Sequence, residues 1–214
     1  LVTFKKIDPL FVLDLTDPYA PKVLGELKIP GYSDYLHPYD ENHIIGVGKE
    51  TIEGEGGNFA WYQGIKISLF DVTDVYAPRE LAKYEIGDRG TDSPVLSDHK
   101  AFLFDRARNL LVIPVTVAQI DPSQYPGVVP PWTYGTPTWT GAYVFRISLE
   151  AGLEFRGGIT HTNGSLEPYS YAWNQYTVKR SLYIDDVLYT LSDSKLKMNS
   201  LTDLSAINEI NLNP

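Results

Sequence analysis

An all-β fold built from repeated four-stranded sheets is what this sequence predicts, and three observations carry the prediction. Short apolar–polar alternations rich in Val, Ile, Leu, Tyr and Phe, bounded by Gly, Pro, Asp and Asn, run along the chain, and helix-period stretches are scarce. The phrase DLTDPYAPKVL at Asp14–Leu24 returns as DVTDVYAPREL at Asp71–Leu81, 57 residues on, with Asp, Thr, Asp, Tyr, Ala, Pro and Leu in register. The strand-like runs also follow one order of four, in which the third strand enters this phrase.

The runs at 9–15, 22–29, 43–48, 65–72, 80–87, 100–105, 110–117, 142–149, 153–159, 181–186, 187–193, 195–201 and 206–212 read as strands. Third strands centre near Leu13, Phe70, Phe145 and Asn199, at intervals of 57, 75 and 54 residues, and weaker copies of the phrase stand at Arg146 (RISLE) and Ser200 (SLTD). A blade of four strands with its loops gives such a period, so the predicted architecture is a β-propeller. About three complete blades are expected, near 31–87, 88–160 and 161–212, after a partial blade over 1–30, all within one domain spanning 1–214. LVTFKK reads as the second strand of that partial blade. The chain is then the last part of a larger propeller, a four-bladed ring lacking one strand, or half of a dimer that completes the ring and covers its open edges.

The repeated phrase is turn chemistry. A carboxylate at a strand end accepts backbone N–H bonds one or two residues on, Thr supports it with its hydroxyl, and Pro21 and Pro78 forbid helix. Asp14, Asp17, Asp71 and Asp74 are therefore read as turn formers; the alternative is calcium held by their oxygens.

Composition narrows the function classes. The chain has 214 residues, 43% hydrophobic and 21% charged, with a formal charge of −9, which argues against a nucleic-acid partner and an anionic membrane surface. With no cysteine, disulfides, thiolate nucleophiles and Cys-ligated metals are excluded. No apolar run reaches the length of a transmembrane helix. The chain starts at Leu1 in a β-like run with neither Met nor signal peptide, so a fragment is expected.

FDVTDVYAPRELAKYEIG resembles the short propeller repeat named for its Leu-Val-Ile-Val-Asp core. The phrases FVLDLTDPYAPKVLGELKIPGYSDYLHPYDENHIIGVG, IGDRGTDSPVLSDHKAFLFD, GAYVFRISLEAGLEFRGGITH and VKRSLYIDDVLYTLSDSKLKMNSLTDLSAINEINL resemble the C-terminal part of archaeal and bacterial secreted proteins whose β-propeller is distantly related to WD-type repeats. The resemblance implies fold and export, hence a secreted or cell-surface location, and supplies no catalytic residues.

Two regions could carry recognition or chemistry. The segment QIDPSQYPGVVPPWTYGTPTWTG at 119–141 accounts for the 75-residue interval; its five prolines restrain a loop bearing Tyr125, Trp132, Tyr134 and Trp139. Such aromatics stack on sugar rings or anchor a protein partner, or else fold inward as a lid. EPYSYAWNQY at 167–176 adds Tyr169 and Trp173 in a second aromatic loop, and the two together would form a rim. The other region, GDRGTDSPVLSDHK, gathers Asp88, Arg89, Asp92, Asp98 and His99 in a connection beside the propeller channel. It reads as an Arg–carboxylate network tying blades together, with a metal or anion site as alternative.

His37 and His43 read as turn histidines and His161 as a residue of a solvated loop; Asn163–Ser165 is a glycosylation sequon by pattern. GVGKET fails as a phosphate loop. ETIEGEGGNFAW at 50–61 reads as a mobile hairpin loop in which Glu50, Glu53 and Glu55 are a loose match to calcium. No other cofactor is indicated. The expectation is an exported, non-enzymatic binding or cell-surface module for a glycan or surface protein. The alternatives are a hydrolase or lyase using channel-lining carboxylates with His99, and a structural surface-layer repeat.

Overall fold

The computed structural model describes residues 10–54, 59–162 and 171–212. Its strands are all antiparallel. β1 (Leu10–Asp14) and β2 (Lys22–Leu27) form a two-stranded sheet. Three four-stranded sheets follow. The first holds β3 (Tyr32–Pro38), β4 (His43–Glu53), β5 (Ala60–Asp71) and β6 (Arg79–Ile86). The second holds β7 (Leu103–Asp105), β8 (Leu110–Gln119), β9 (Thr136–Ser148) and β10 (Gly152–Ile159). The third holds β11 (Arg180–Ile184), β12 (Val187–Leu191), β13 (Lys195–Ser200) and β14 (Ala206–Asn211). Strands lie in each sheet in chain order. β3 escapes the alternation reading because YSDYLHP is polar and half-exposed. Among the described residues no helix is long and apolar enough to cross a membrane.

Packing follows from strand alternation. β8 is an almost unbroken apolar run, as expected of a strand buried on both faces. Leu111, Ile113 and Val115 join Phe145 and Ile147 against Ile45, Val47, Ile65, Ile67 and Leu69 of the preceding sheet. Leu110, Val112, Ala142 and Val144 turn the other way, onto Leu188 and Leu201 of the next. Each fully buried side chain of this size contributes roughly 1.5–3 kcal/mol, so these two seams dominate the stability.

A bulge recurs at one place in all four sheets. Pairing between third and fourth strands shifts at Val12/Leu13, Leu69/Phe70 and Met198/Asn199, and in β9–β10 at Val144/Phe145, leaving Leu24, Leu81, Ile207 and Arg156 as the extra residues. These sites stand 57, 75 and 54 residues apart, the intervals read from the sequence, so the repeat is one of backbone geometry. Bulges pin register and raise local twist.

Pro114 sits inside β8, where a proline removes a ladder donor. Thr116, two residues on and so facing the same side, donates to Asp92 O at 2.8 Å across an isolated bridge. β7 has only three residues and pairs no further along β8 than Val112. Pro114 therefore occupies a gap in the inner ladder, filled by the single 3-10 turns Pro94–Leu96 and His99–Ala101.

The repeated phrase closes the third-to-fourth hairpins of the first two sheets, and its weaker copy that of the last. Asp14 Oδ1 accepts from Thr16 N at 2.9 Å and Thr16 Oγ1 at 2.7 Å, and Asp71 Oδ1 accepts from Thr73 N at 2.8 Å. Asp17 and Asp74 repeat the bond to Tyr19 N and Tyr76 N. In the last sheet Ser200 and Asp203 take these parts, accepting from Thr202 N and Ser205 N. Asp71 also receives Arg79 through Nε at 2.9 Å and Nη2 at 2.7 Å. The Thr73 bonds first, then Arg79, hold its carboxyl far below the usual range.

Asp71→Ala should cost on the order of 1 kcal/mol or somewhat more in urea unfolding, since charge-assisted bonds are lost, and Asp14→Ala, which lacks an arginine partner, should cost less. Because the folded-state pKa of Asp71 is depressed, its contribution is complete above about pH 4 and fades as pH falls below it. The difference between wild type and Asp71→Ala should shrink accordingly in acid melts.

Candidate functional site

Two long hairpins build the site. β4 and β5 stay paired as far as Ile52–Trp61 and Glu53–Ala60. β8 and β9 stay paired to Gln119–Thr136. The ladder thus enters the stretch read as an insertion loop, and residues 120–135 are what lies between the strands. Both are second-to-third connections, and antiparallel order puts them at the end where each sheet crosses to the next.

Their tips meet. Gln63 Nε2 donates to Pro131 O at 3.0 Å, and the Trp61 ring lies 6.0 Å from that of Trp132 and 5.1 Å edge-on from Phe59. Arg89 comes from the crossover between the sheets and lies between the hairpins, its Cζ 4.3 Å from the Tyr134 ring centroid and 5.2 Å from that of Trp61. It donates to Tyr62 O at 2.8 Å and Tyr134 OH at 3.1 Å, while Gly135 N donates to Arg89 O at 2.7 Å. Cation–π contacts of this kind add about 0.5–1 kcal/mol each at exposed sites.

Tyr125 and Tyr134, with Gln119, Ile120, Asp121, Gln124, Thr136 and Thr138, line a cleft of about 290 Å³. Trp132 and Tyr134 are 55% and 67% exposed. Asp121 faces its own turn, accepting from Ser123 Oγ at 2.6 Å and Ser123 N at 3.0 Å, which holds its carboxyl below the ordinary range. Thr138 Oγ1 donates to Gln119 Oε1 at 3.2 Å. Aromatic residues, amide and hydroxyl groups and one carboxylate engaged by its own turn therefore share one opening.

Other residues of the expected rim go elsewhere. Trp139 lies in β9 with its ring 4.9 Å from Tyr143, over Gly141 and Gly158, where a Cβ would come within 2.6 and 2.7 Å of the indole. Trp173 is buried in the short helix α1 (Tyr171–Tyr176), a turn of helix where a loop was expected. Tyr169, Glu55 and the sequon lie outside the described residues. The rim gains instead Phe59, Trp61 and Tyr62, which sequence reasoning passed over because they follow a Gly-rich acidic run. The signal was the alternation of Phe59 and Trp61, a strand pattern.

The channel cluster is dispersed into separate ties. Asp88 Oδ2 accepts from Ile120 N at 2.7 Å, and Asp92 lies 3.6 Å from Lys49 Nζ. Asp98 caps the turn at His99, accepting from Lys100 N at 3.0 Å, and pairs with Arg180 of the next sheet. Those bonds, the Lys100 N–H first, hold Asp98 below its usual range. His99 stacks 6.3 Å from Tyr35. A second cleft of about 440 Å³ runs past the Asp98–Arg180 pair to Ser192 and Asp193, with Lys179 2.6 Å from Asp193. Among its described lining residues, Asp98 and Asp193 are each paired with a cation.

Among the described residues no group of three or more His, Cys, Asp or Glu is placed to hold a metal ion. Glu50 lies 3.5 Å from Lys66 and 3.8 Å from Lys83. His43 pairs with Asp40 at 2.7 Å, and His37 with the Tyr35 hydroxyl at 2.8 Å. His161 lies beyond the end of β10, but it is not solvated as expected: it is fully buried, Nδ1 2.9 Å from Ser192 Oγ and Nε2 2.8 Å from Thr190 Oγ1. Burial first, then Lys197 and Lys195, push its pKa down to about 4.

Successive antiparallel sheets stacked face to face, with their connections gathered at two ends, define a repeat-built all-β protein. The chain belongs to the β-propeller domain family, which it matches over residues 1–204. A protein of Methanocaldococcus jannaschii described as uncharacterized is 33% identical over 196 residues, 92% of this chain and 24% of its own length. One of Archaeoglobus fulgidus, described likewise, is 45% identical over 114 residues, 53% of this chain and 16% of its own. The chain thus spans about a quarter or less of the length of these relatives.

His161 makes the fold sensitive to mild acid. Its folded pKa lies below the unfolded value, so its favourable contribution is full above about pH 6.5 and declines as pH falls toward 4, by on the order of 3 kcal/mol. Urea midpoints between pH 7.5 and 4.5 should show that slope, and His161→Gln, which cannot titrate, should flatten it.

Proposed function

We propose that this chain is an exported, non-enzymatic propeller module that binds a glycan at the end where the long hairpins meet. The observation that carries this reading is the cleft lined by Tyr125 and Tyr134 together with amides, hydroxyls and the Asp121 carboxylate. Sugars present C–H faces to aromatic rings and hydroxyls to amides and hydroxyls, and a cleft of about 290 Å³ suits one or two residues. Trp132, two residues before Tyr134 and 55% exposed, offers a further aromatic surface with Trp61. Each four-stranded sheet is read as one blade and the β1–β2 pair as part of another. Kinship to WD-type repeats and export rest on the resemblance of the long sequence phrases.

Tyr125→Ala should weaken glycan binding roughly ten- to hundredfold while leaving the melting temperature nearly unchanged, as loss of a stacking platform does; Tyr134→Ala should weaken it as much and also lower the melting temperature by a few degrees, because its contacts with Arg89 are lost. A glycan array followed by calorimetry on the best hit measures this. Wild type that binds no glycan, or variants that bind unchanged, would remove the assignment.

A further inference from the structure

The aromatic surface continues past the cleft. Tyr134 forms part of the cleft wall, and Arg89 lies over its ring and reaches that of Trp61, which in turn meets Trp132 and Phe59. One guanidinium thus joins the rings of two hairpins, and Phe59, Trp132 and Tyr134 are all exposed.

Arg89 is also an exception among the arginines. Arg79, Arg106, Arg108, Arg146 and Arg180 each lie against a carboxylate. Arg89 has no carboxylate within ion-pair distance among the described residues, although two acids stand near it in the same crossover: Asp88 accepts from Ile120 N and Asp92 lies against Lys49. Each terminal nitrogen of a guanidinium carries two N–H groups. Nη1 of Arg89 donates to Tyr62 O and Nη2 to Tyr134 OH, which leaves one N–H on each for a ligand. Its Nε is buried without a hydrogen-bond partner, so the charge is partly desolvated and the described residues do not compensate it. An uncompensated cation is therefore held between two rings at the surface of a chain whose formal charge is −9. An anionic group beside it would supply what the described residues do not.

We infer that the glycan taken at this end is acidic: a sugar bearing a carboxylate or a sulfate ester lies against Trp61 and Tyr134 with its anionic group on Arg89, next to the residue held in the cleft. The inference rests on the glycan reading above and names the class of ligand. Arginine takes planar and tetrahedral anions through paired N–H bonds, and a sugar ring stacks by its C–H face on neighbouring aromatics. The cleft is a poorer seat for the charge, because Asp121 lines it, and bonds from Ser123 hold that carboxyl below the ordinary range and so ionised at neutral pH.

The test is an array at neutral pH that carries each uronate-containing oligosaccharide beside its methyl ester and each sulfated one beside its unsulfated parent, with calorimetry on the best pair. The acid should bind roughly tenfold or more tightly than its uncharged twin, and the arm in which it does so names the anion. Arg89→Gln should abolish that preference. Because Arg89 also holds Tyr134, the variant weakens both members of a pair; the ratio between them, which a merely positioning role leaves unchanged, is the readout. Arg89→Lys retains the charge and should retain part of the preference at lower affinity. Equal binding of acids and their uncharged twins by wild type overturns the inference and leaves the glycan reading standing. An acid preference that survives Arg89→Gln overturns it by placing the anion elsewhere. Wild type that binds no member of any pair removes the glycan reading and the inference with it.

Discussion

Both faces of the described four-stranded sheets carry apolar side chains, and that single constraint organises the molecule. A sheet covered on one side only would leave its other side to water at a cost of about 25 cal/mol per Å² of apolar surface, so the sheets must stack. In β8 the alternation is strict: Leu111, Ile113 and Val115 go to one seam, Leu110 and Val112 to the other. A one-residue slip would exchange the two sets, and because both are apolar the pattern alone guards poorly against it. The bulge between third and fourth strands supplies the missing specification. It recurs at Val12/Leu13, Leu69/Phe70, Val144/Phe145 and Met198/Asn199; in the first two hairpins an Asp-Thr-Asp turn and in the last Ser200 with Asp203 stand beside it, and there turn and bulge together set the register of the outer strand.

This division leaves the two ends of the sheets with different freedom. At the third-to-fourth end the connections are short and locked by side chain to backbone bonds from Asp14, Asp71 and Asp203. At the other end the hairpins of β4–β5 and β8–β9 outgrow the sheet, and nothing in the stacking limits their length. Loops freed from the scaffold are where binding residues tend to gather; Trp132 and Tyr134 stand exposed at this end, although Tyr19 and Tyr76 are exposed in the short turns of the other.

Much of this was legible in the sequence. Strand alternation and the echo of Asp14–Leu24 in Asp71–Leu81 yield the sheets, their order and the turn role of the aspartates, because those features are local. The rest depends on partners distant in the chain. β3 is held by β4 and not by its own composition, so YSDYLHP carries no strand signal. His161 looks like a solvated loop residue until Thr190 and Ser192 arrive from the next sheet to satisfy both nitrogens. Trp139 and Trp132 stand in one aromatic segment, yet the glycines at 141 and 158 open a slot that takes the first inward and leaves the second out. Asp98 and His99 are neighbours in sequence but turn to Arg180 and Tyr35 respectively.

Arg89 shows how a crossover residue can turn two independent hairpins into one surface. Its side chain reaches the backbone of Tyr62 on one hairpin and the hydroxyl and ring of Tyr134 on the other, while its own carbonyl receives Gly135 N. Its Nε is buried without a hydrogen-bond partner among the described residues, a cost accepted where the guanidinium plane packs between the rings of Trp61 and Tyr134. Lysine would not substitute, since an ammonium has neither the plane to lie between two rings nor the fork to reach both oxygens. Residues 120–135 lie outside the β-ladder, and Arg89 is the cation that fixes Tyr134 at their far end. The wall of the cleft is thereby set from the rigid crossover between sheets, which relieves the loop of holding Tyr134 in place by its own local structure.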